Sequence, residues 1–194
     1  GTQKNAWLKV LTSQFPDKPK EEIRILDIGT GPGFFPVILA EAGYHVDAVD
    51  YTEGMLEKAK ENAGDVCRNI RFLRMDAQKL DFEDNTFDVV ISRNLTWNLE
   101  HPDVAYREWV RVLKVGGRLL NFDANWYGYL YEEEQRKAYE NDRKNVENNS
   151  LDDHYLCTDI ERMERIALQV PLSKISRPRW DVKTLREAGL LGIR

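Results

Sequence analysis

The residues Asp27-Ile28-Gly29-Thr30-Gly31-Pro32-Gly33 carry the strongest chemical signal in the chain. Glycines at alternate positions permit backbone angles closed to other residues and let a ligand approach the main chain closely. A helix opening just beyond them would add free N–H groups aimed at the same spot. Twenty-one residues past Gly29 stands Asp50, an acid spaced to accept hydrogen bonds from the two hydroxyls of a ribose. The spacing also separates one nucleotide class from another. A dinucleotide fingerprint reads G-x-G-x-x-G, and counted from Gly29 its third glycine position holds Phe34. An NAD-linked oxidoreductase is disfavoured on that ground.

These residues do chemistry only if strands and helices present them together. Ile23 to Ile28 reads as a buried strand, followed by the glycine loop and a helix through about Ala42. His45 to Asp50 is a second strand, and Thr52 is placed to cap a helix carrying Met55, Leu56, Ala59 and Ala63 on one face. Ile70 to Met75 and Phe87 to Ser92 are the third and fourth strands, the latter continuous enough for burial on both faces. Pro102 opens a helix expected to end before Gly116-Gly117, and Arg118 to Asp123 is the fifth strand. Short apolar runs alternating with amphipathic stretches predict an α/β fold: a doubly wound, mostly parallel sheet with helices on both faces. From about 124 to 179 the texture changes to Tyr, Glu, Asn and Arg, with a charged helix over Glu132–Asn148. Asp181 to Gly189 then reads as one more helix. The N-terminal Trp7, Leu8 and Leu11 mark a helix that packs on the sheet or folds over the ligand.

Composition narrows the function. A chain of 194 residues fits one domain, and its 42% hydrophobic and 31% charged residues are ordinary for a globular protein. No apolar run reaches the length of a membrane span. Two cysteines, Cys67 and Cys157, give neither a disulfide framework nor a metal-ligand spacing and read as reduced thiols of a cytoplasmic protein. A net charge of −5 argues against holding nucleic acid by counterion release and favours a small or neutral substrate. The run Arg177-Pro178-Arg179 reads as a solvated turn.

Further segments point to a family. Arg74-Met75-Asp76-Ala77 is followed by Leu80-Asp81-Phe82, by Thr86-Phe87-Asp88-Val89-Val90 and by the stretch Arg111 to Leu119. With the pattern acid-x-G-x-G-x-G, the chain resembles class I S-adenosylmethionine-dependent methyltransferases from about Ile23 to Asp123, and more loosely over Asp181 to Gly189. Val115 stands where that family usually has Pro. The resemblance implies S-adenosyl-L-methionine as cofactor. Asp27, Thr30 and the backbone of Gly29, Gly31 and Gly33 would cradle its methionine end, and Asp50 its ribose. Tyr51 and Met55 would pack on the adenine, or simply pack. Asp76 and Ala77 would grip the adenine edge, and Arg93 would border the sulfonium.

The acceptor side is less legible. Methyl transfer from a sulfonium is an in-line displacement that chiefly requires alignment, so no catalytic base is demanded by the sequence. His45, His101 and His154 are weak candidates. Asn94-Leu95-Thr96-Trp97-Asn98 is not the Asn/Asp-Pro-Pro-aromatic tetrapeptide of enzymes that methylate amino groups of adenine, cytosine or glutamine, which lowers those classes. Asn94, Trp97, Trp126 and Tyr127 are the substrate candidates, and residues 124–179 are expected to form a lid within a single domain of residues 1–194. The family's sheet normally carries two further strands after the last helix. This chain stops where the first would begin, so the C-terminal strand pair is expected to be missing, either because the sequence is a fragment, the preferred reading, or because the protein lacks it. A small-molecule methyltransferase is the leading reading. Its rivals are a methyltransferase of protein or RNA and a non-catalytic module that binds the cofactor or its product. Oligomeric state is not legible.

Overall fold

The computed structural model describes residues 1–149 and 159–194. Five parallel strands form one sheet: β1 (Ile25–Ile28), β2 (Val46–Asp50), β3 (Ile70–Arg74), β4 (Phe87–Arg93) and β5 (Leu113–Phe122), in the order β3-β2-β1-β4-β5. The order reverses between β1 and β4, which opens a crevice beyond their carboxyl ends, the usual ligand site of such sheets. The helices are α1 (Thr2–Thr12), α2 (Phe34–Glu41), α3 (Glu53–Ala63), α4 (Pro102–Val112), α5 (Glu133–Asn149), α6 (Ile160–Ala167) and α7 (Arg179–Glu187).

Strand alternation decides which layer each side chain joins. Ile25, Val46, Val89 and Ile91 face one way and are covered by Phe35, Ile38 and Leu39 of α2 and by Leu11, Trp7 and Leu8 of α1. Leu26, Ile28, Val49 and Val90 face the other way, under Ala105, Tyr106, Trp109 and Val112 of α4 and Leu185 of α7. The N-terminal helix therefore packs on the sheet. Gly33 lets α2 meet α3, because a Cβ there would sit 2.9 Å from Ala59 Cβ.

The elements follow the expected order, with shifted ends. The main correction concerns Gly116-Gly117, expected to stop a helix. That helix ends at Val112, and β5 begins at once at Leu113. The glycine pair lies inside the strand, at a register break between the pairs Phe87–Leu113 and Val89–Arg118. Gly116 takes a left-handed φ of 80°, and a Cβ on Gly117 would lie 2.9 Å from the Asp88 carbonyl. Lys114 explains the early start, since it is drawn to the buried Asp88 carboxylate at 2.9 Å. Met55, expected on the packed face of α3, is instead 45% exposed.

Candidate active site

Three loops meet beyond the carboxyl ends of the sheet, following β1, β3 and β4. The first, Gly29–Gly33, hangs from β2 through two N–H bonds, from Gly29 and Thr30 to the Val49 carbonyl, 2.9 and 3.0 Å. Gly29, Gly31 and Gly33 all adopt positive φ (68°, 52° and 87°), which fixes glycine at each. Asp50 draws the loop to the end of β2. Its Oδ2 accepts the Gly31 N–H at 2.8 Å and its Oδ1 the Thr52 N–H at 2.9 Å. A carboxylate has about four acceptor sites, so both oxygens keep capacity for a ligand's hydroxyls.

Asp27 lies at the floor, 3% exposed. Burial pushes its carboxyl up to about 7, the nearby Thr30 hydroxyl partly offsets this, and Asp50 adds to the rise. The Thr30 hydroxyl sits near Asp27 without a hydrogen bond of ordinary geometry, and it is buried with no partner. An orphaned hydroxyl beside a buried acid, in a glycine cradle, fits a polar cationic ligand group better than an apolar one.

The second loop, 75–84, forms the far wall. Asp76 Oδ1 accepts the Gln78 N–H at 2.8 Å, and no hydrogen bond reaches its Oδ2 among the described residues. The Ala77 carbonyl accepts the Trp109 indole N–H at 2.9 Å, which ties the wall to α4. Arg111 fastens it further, donating to the carbonyls of Phe82 and Leu80 at 2.7 and 3.0 Å and to Asp84 at 2.8 Å, with Glu108 behind it. Tyr51 is 68% exposed at the rim, its ring under the Arg74 guanidinium. Plain packing therefore does not account for Tyr51 or Met55, and both lie open to a flat ligand.

The third loop, 94–99, follows β4. Asn94 takes a left-handed φ of 54° and donates its N–H to the Phe122 carbonyl. Leu95 then drops onto the glycine loop, where a Cβ on Gly29 would stand 2.7 Å from Leu95 Cδ2. Trp97 packs against Tyr127, ring centres 5.0 Å apart, and its indole N–H donates to the Asn94 carbonyl. Trp126 is 48% exposed. Arg93 turns the other way from this loop, among the rings of Trp7, Phe34 and Phe35 at 5.2 to 5.7 Å. Its guanidinium makes no hydrogen bond or ion pair among the described residues. Asp27, Gly29, Thr30, Gly31, Gly33, Asp50, Tyr51, Met55, Asp76 and Ala77 thus come together around one crevice. Asn94, Trp97, Trp126 and Tyr127 gather beside it, and Arg93 stands at its α1–α2 side.

Two of the three histidines lie among the described residues. His45 is exposed just before β2, and His101 is exposed at the start of α4. His154 and Cys157 lie outside the described residues, and Cys67 is a free thiol. No cluster of metal-ligating side chains occurs among the described residues.

Sequence reasoning missed a buried polar network at the end of β5. Arg177, read as part of a solvated turn, has a side chain only 6% exposed. It bonds Asp123 at 2.9 Å and grips Asp181 through Nε and Nη2. Asp181 accepts the Tyr106 hydroxyl, which in turn accepts Asn121 Nδ2 at 2.9 Å. The reason is charge balance: Asp123 just past β5 and Asp181 in the first turn of α7 are two buried carboxylates that need a cation, and Arg177 supplies it. The only sequence signal was an acid at position 181 four residues after an arginine.

The description "Methyltransferase domain" matches residues 26–121. Demethylmenaquinone methyltransferase of Clavibacter sepedonicus is 41% identical over 98 residues, 50% of this chain and 39% of that protein. Ubiquinone/menaquinone biosynthesis C-methyltransferase UbiE of Ectopseudomonas mendocina is 40% identical over 103 residues, 50% of this chain and 40% of that protein. The chain thus spans less than half the length of these curated relatives. Among solved structures, the PH0226 protein of Pyrococcus horikoshii superposes with TM-score 0.54 at 31% identity, over 63% of this chain and 52% of its own. Phosphoethanolamine N-methyltransferase 2 of Haemonchus contortus, solved with S-adenosyl-L-methionine, has TM-score 0.63 over 97% of this chain and 36% of its own. At 22% identity it speaks for the fold alone. Through residues 26–121, the chain belongs to the class I S-adenosylmethionine-dependent methyltransferase family.

Proposed function

We propose that the protein transfers a methyl group from S-adenosyl-L-methionine to a small, flat aromatic acceptor. The observation that carries this reading is the tie between Asp50 and the glycine loop, which shapes one crevice with a ribose-binding acid, an open aromatic rim and a buried acid at its floor. Bound there, S-adenosylmethionine supplies a methyl group on a sulfonium, open to in-line attack. Asp27 and Thr30 would hold its methionine end, with the backbone of Gly29, Gly31 and Gly33 close against it, Asp50 its ribose, and Asp76 and Ala77 its adenine edge, with Tyr51 and Met55 against the ring. Arg93 offers its donors to the cofactor's carboxylate from the α1–α2 side.

The rings of Trp97, Tyr127 and Trp126, with Asn94, support an aromatic acceptor, as do relatives whose names are those of quinone-methylating enzymes. The chain's work is to place the acceptor atom in line and keep water out. Residues 124–179, of which 150–158 lie outside the described residues, are assigned as the lid of a single domain that works in the cytoplasm. A free Cys67 agrees with a reducing compartment, and no helix among the described residues is long and apolar enough to cross a membrane.

Calorimetric titration with S-adenosylmethionine, S-adenosylhomocysteine and NAD tests the reading. The first two should bind and NAD should not. Asp50→Ala should weaken both by about 1.5–3 kcal/mol, the worth of a charge-assisted hydrogen bond. Absence of binding to wild type, or an unchanged affinity in the variant, overturns it.

A further inference from the structure

Two loops that flank the acceptor side end on the same carboxylate. Asp123, the first residue past β5, has a side chain only 1% exposed. Its Oδ2 accepts the Trp97 backbone N–H at 2.8 Å, and its Oδ1 lies 3.3 Å from the Trp126 indole nitrogen. The Ala124 N–H donates to it at 2.9 Å. Arg177 closes the arrangement from behind, held by Asp181, which itself accepts the Tyr106 hydroxyl. A carboxylate this deeply buried stays in place only if charge and hydrogen bonds fix it, and here every oxygen is engaged. Trp97 packs at a tilt against Tyr127, Tyr127 neighbours Tyr129 at 6.0 Å, and Tyr129 lies flat on Tyr139 at 4.1 Å. The aromatic row therefore reaches from the loop after β4 into α5, and its inner end hangs on Asp123.

We propose that Asp123, clamped by Arg177, is the specificity-determining hub of the acceptor pocket. It sets where the two indoles stand and so selects flat aromatic acceptors. Neither residue touches the reacting atoms; both are positioning residues, and the proposal rests on the methyl-transfer reading above. The dependence is directional. Loosening Asp123 releases Trp97 and Trp126 but leaves Asp27 on β1, Asp50 on β2 and Asp76 in the loop after β3, so cofactor affinity should stand while aromatic affinity falls.

The test is calorimetric binding of 1-naphthol to the protein saturated with S-adenosylhomocysteine, for wild type, Asp123→Asn, Arg177→Gln and Arg177→Lys. Asp123→Asn and Arg177→Gln should weaken 1-naphthol about tenfold and change S-adenosylhomocysteine affinity less than about twofold, with Arg177→Lys between them. In a Trp97→Ala background, Asp123→Asn should cost less than it does alone, because it acts through that ring. Arg177→Lys keeps the buried charge, so it supplies the comparison if the other two fail to fold. Wild type that binds S-adenosylhomocysteine but not 1-naphthol overturns the inference and leaves methyl transfer standing. Equal 1-naphthol affinity in the variants overturns it too, as do fully additive losses. Wild type that binds neither ligand removes the underlying reading itself.

Discussion

Asp27 shows how burial turns one carboxyl into a pH-dependent part. Its ordinary value is 3.8, and in the fold it titrates near 7. Below pH 4 both folded and unfolded states hold the proton, and the group adds nothing. As pH rises towards 7 the unfolded chain ionises first, so stability is lost across that window, by a few kcal/mol in total. Asp27→Asn should therefore raise the melting temperature at pH 8 and leave it nearly unchanged at pH 4, checked by thermal melts at both. In the proposed site the same acid would face the cationic methionine end of the cofactor, which would favour the ionised form. Affinity for S-adenosylmethionine should climb with pH up to about 7, with proton release detected by calorimetry in two buffers at pH 6. A flat pH profile in wild type would separate Asp27 from the cofactor.

Helix α4 does more than cover the sheet. Its Trp109, Glu108 and Arg111 hold the loop carrying Asp76 and Ala77 by five side-chain contacts to that loop's backbone or to Asp84. Hydrogen bonding to Glu108 and then to Asp84 raises the Arg111 guanidinium further above its already high ordinary value, so it stays charged throughout. Arg111→Met keeps the stem but leaves two loop carbonyls unpaired, at a cost of about 2–3 kcal/mol. Urea unfolding should show that loss, and S-adenosylhomocysteine affinity should fall with it. A stability loss at constant affinity would show that this wall does not shape the adenine end.

At the scale of the whole molecule, the amino ends of the strands carry their own charge device. Asp88 is buried against the chain's N-terminal segment and β5. Burial would raise its carboxyl, but hydrogen bonds from Lys114 and Lys18 and from the Arg24 N–H hold it down to about 2. A lowered acid stabilises above its unfolded value and loses that contribution as pH falls from about 4 to 2. Since both lysines are partly exposed, about 1–2 kcal/mol is at stake. Asp88→Asn should flatten acid unfolding in that window, followed by circular dichroism.

The sheet was legible because its strands are short apolar runs and its glycine loop needs a strand before and a helix after. The crevice was legible for the same reason, since Asp27, Asp50 and Asp76 all stand at strand ends. What stayed hidden depends on chain returns that local pattern does not encode. Arg177 is buried because Asp123 and Asp181 happen to need it. Lys114 starts β5 early because Asp88 lies beside it on the neighbouring strand β4. The acceptor side is built from such long-range contacts, which is why its residues were named without their arrangement.

Leu95 and Gly29 touch where the loop after β4 meets the floor of the crevice, and they are unequal heirs of that contact. Leu95 meets the loop with the end of a flexible side chain, so a shorter or differently branched residue can take its place. Gly29 has a φ of 68° and no room for a Cβ, so it can take nothing. One contact thereby leaves position 95 open to substitution while position 29 is closed to every residue but glycine.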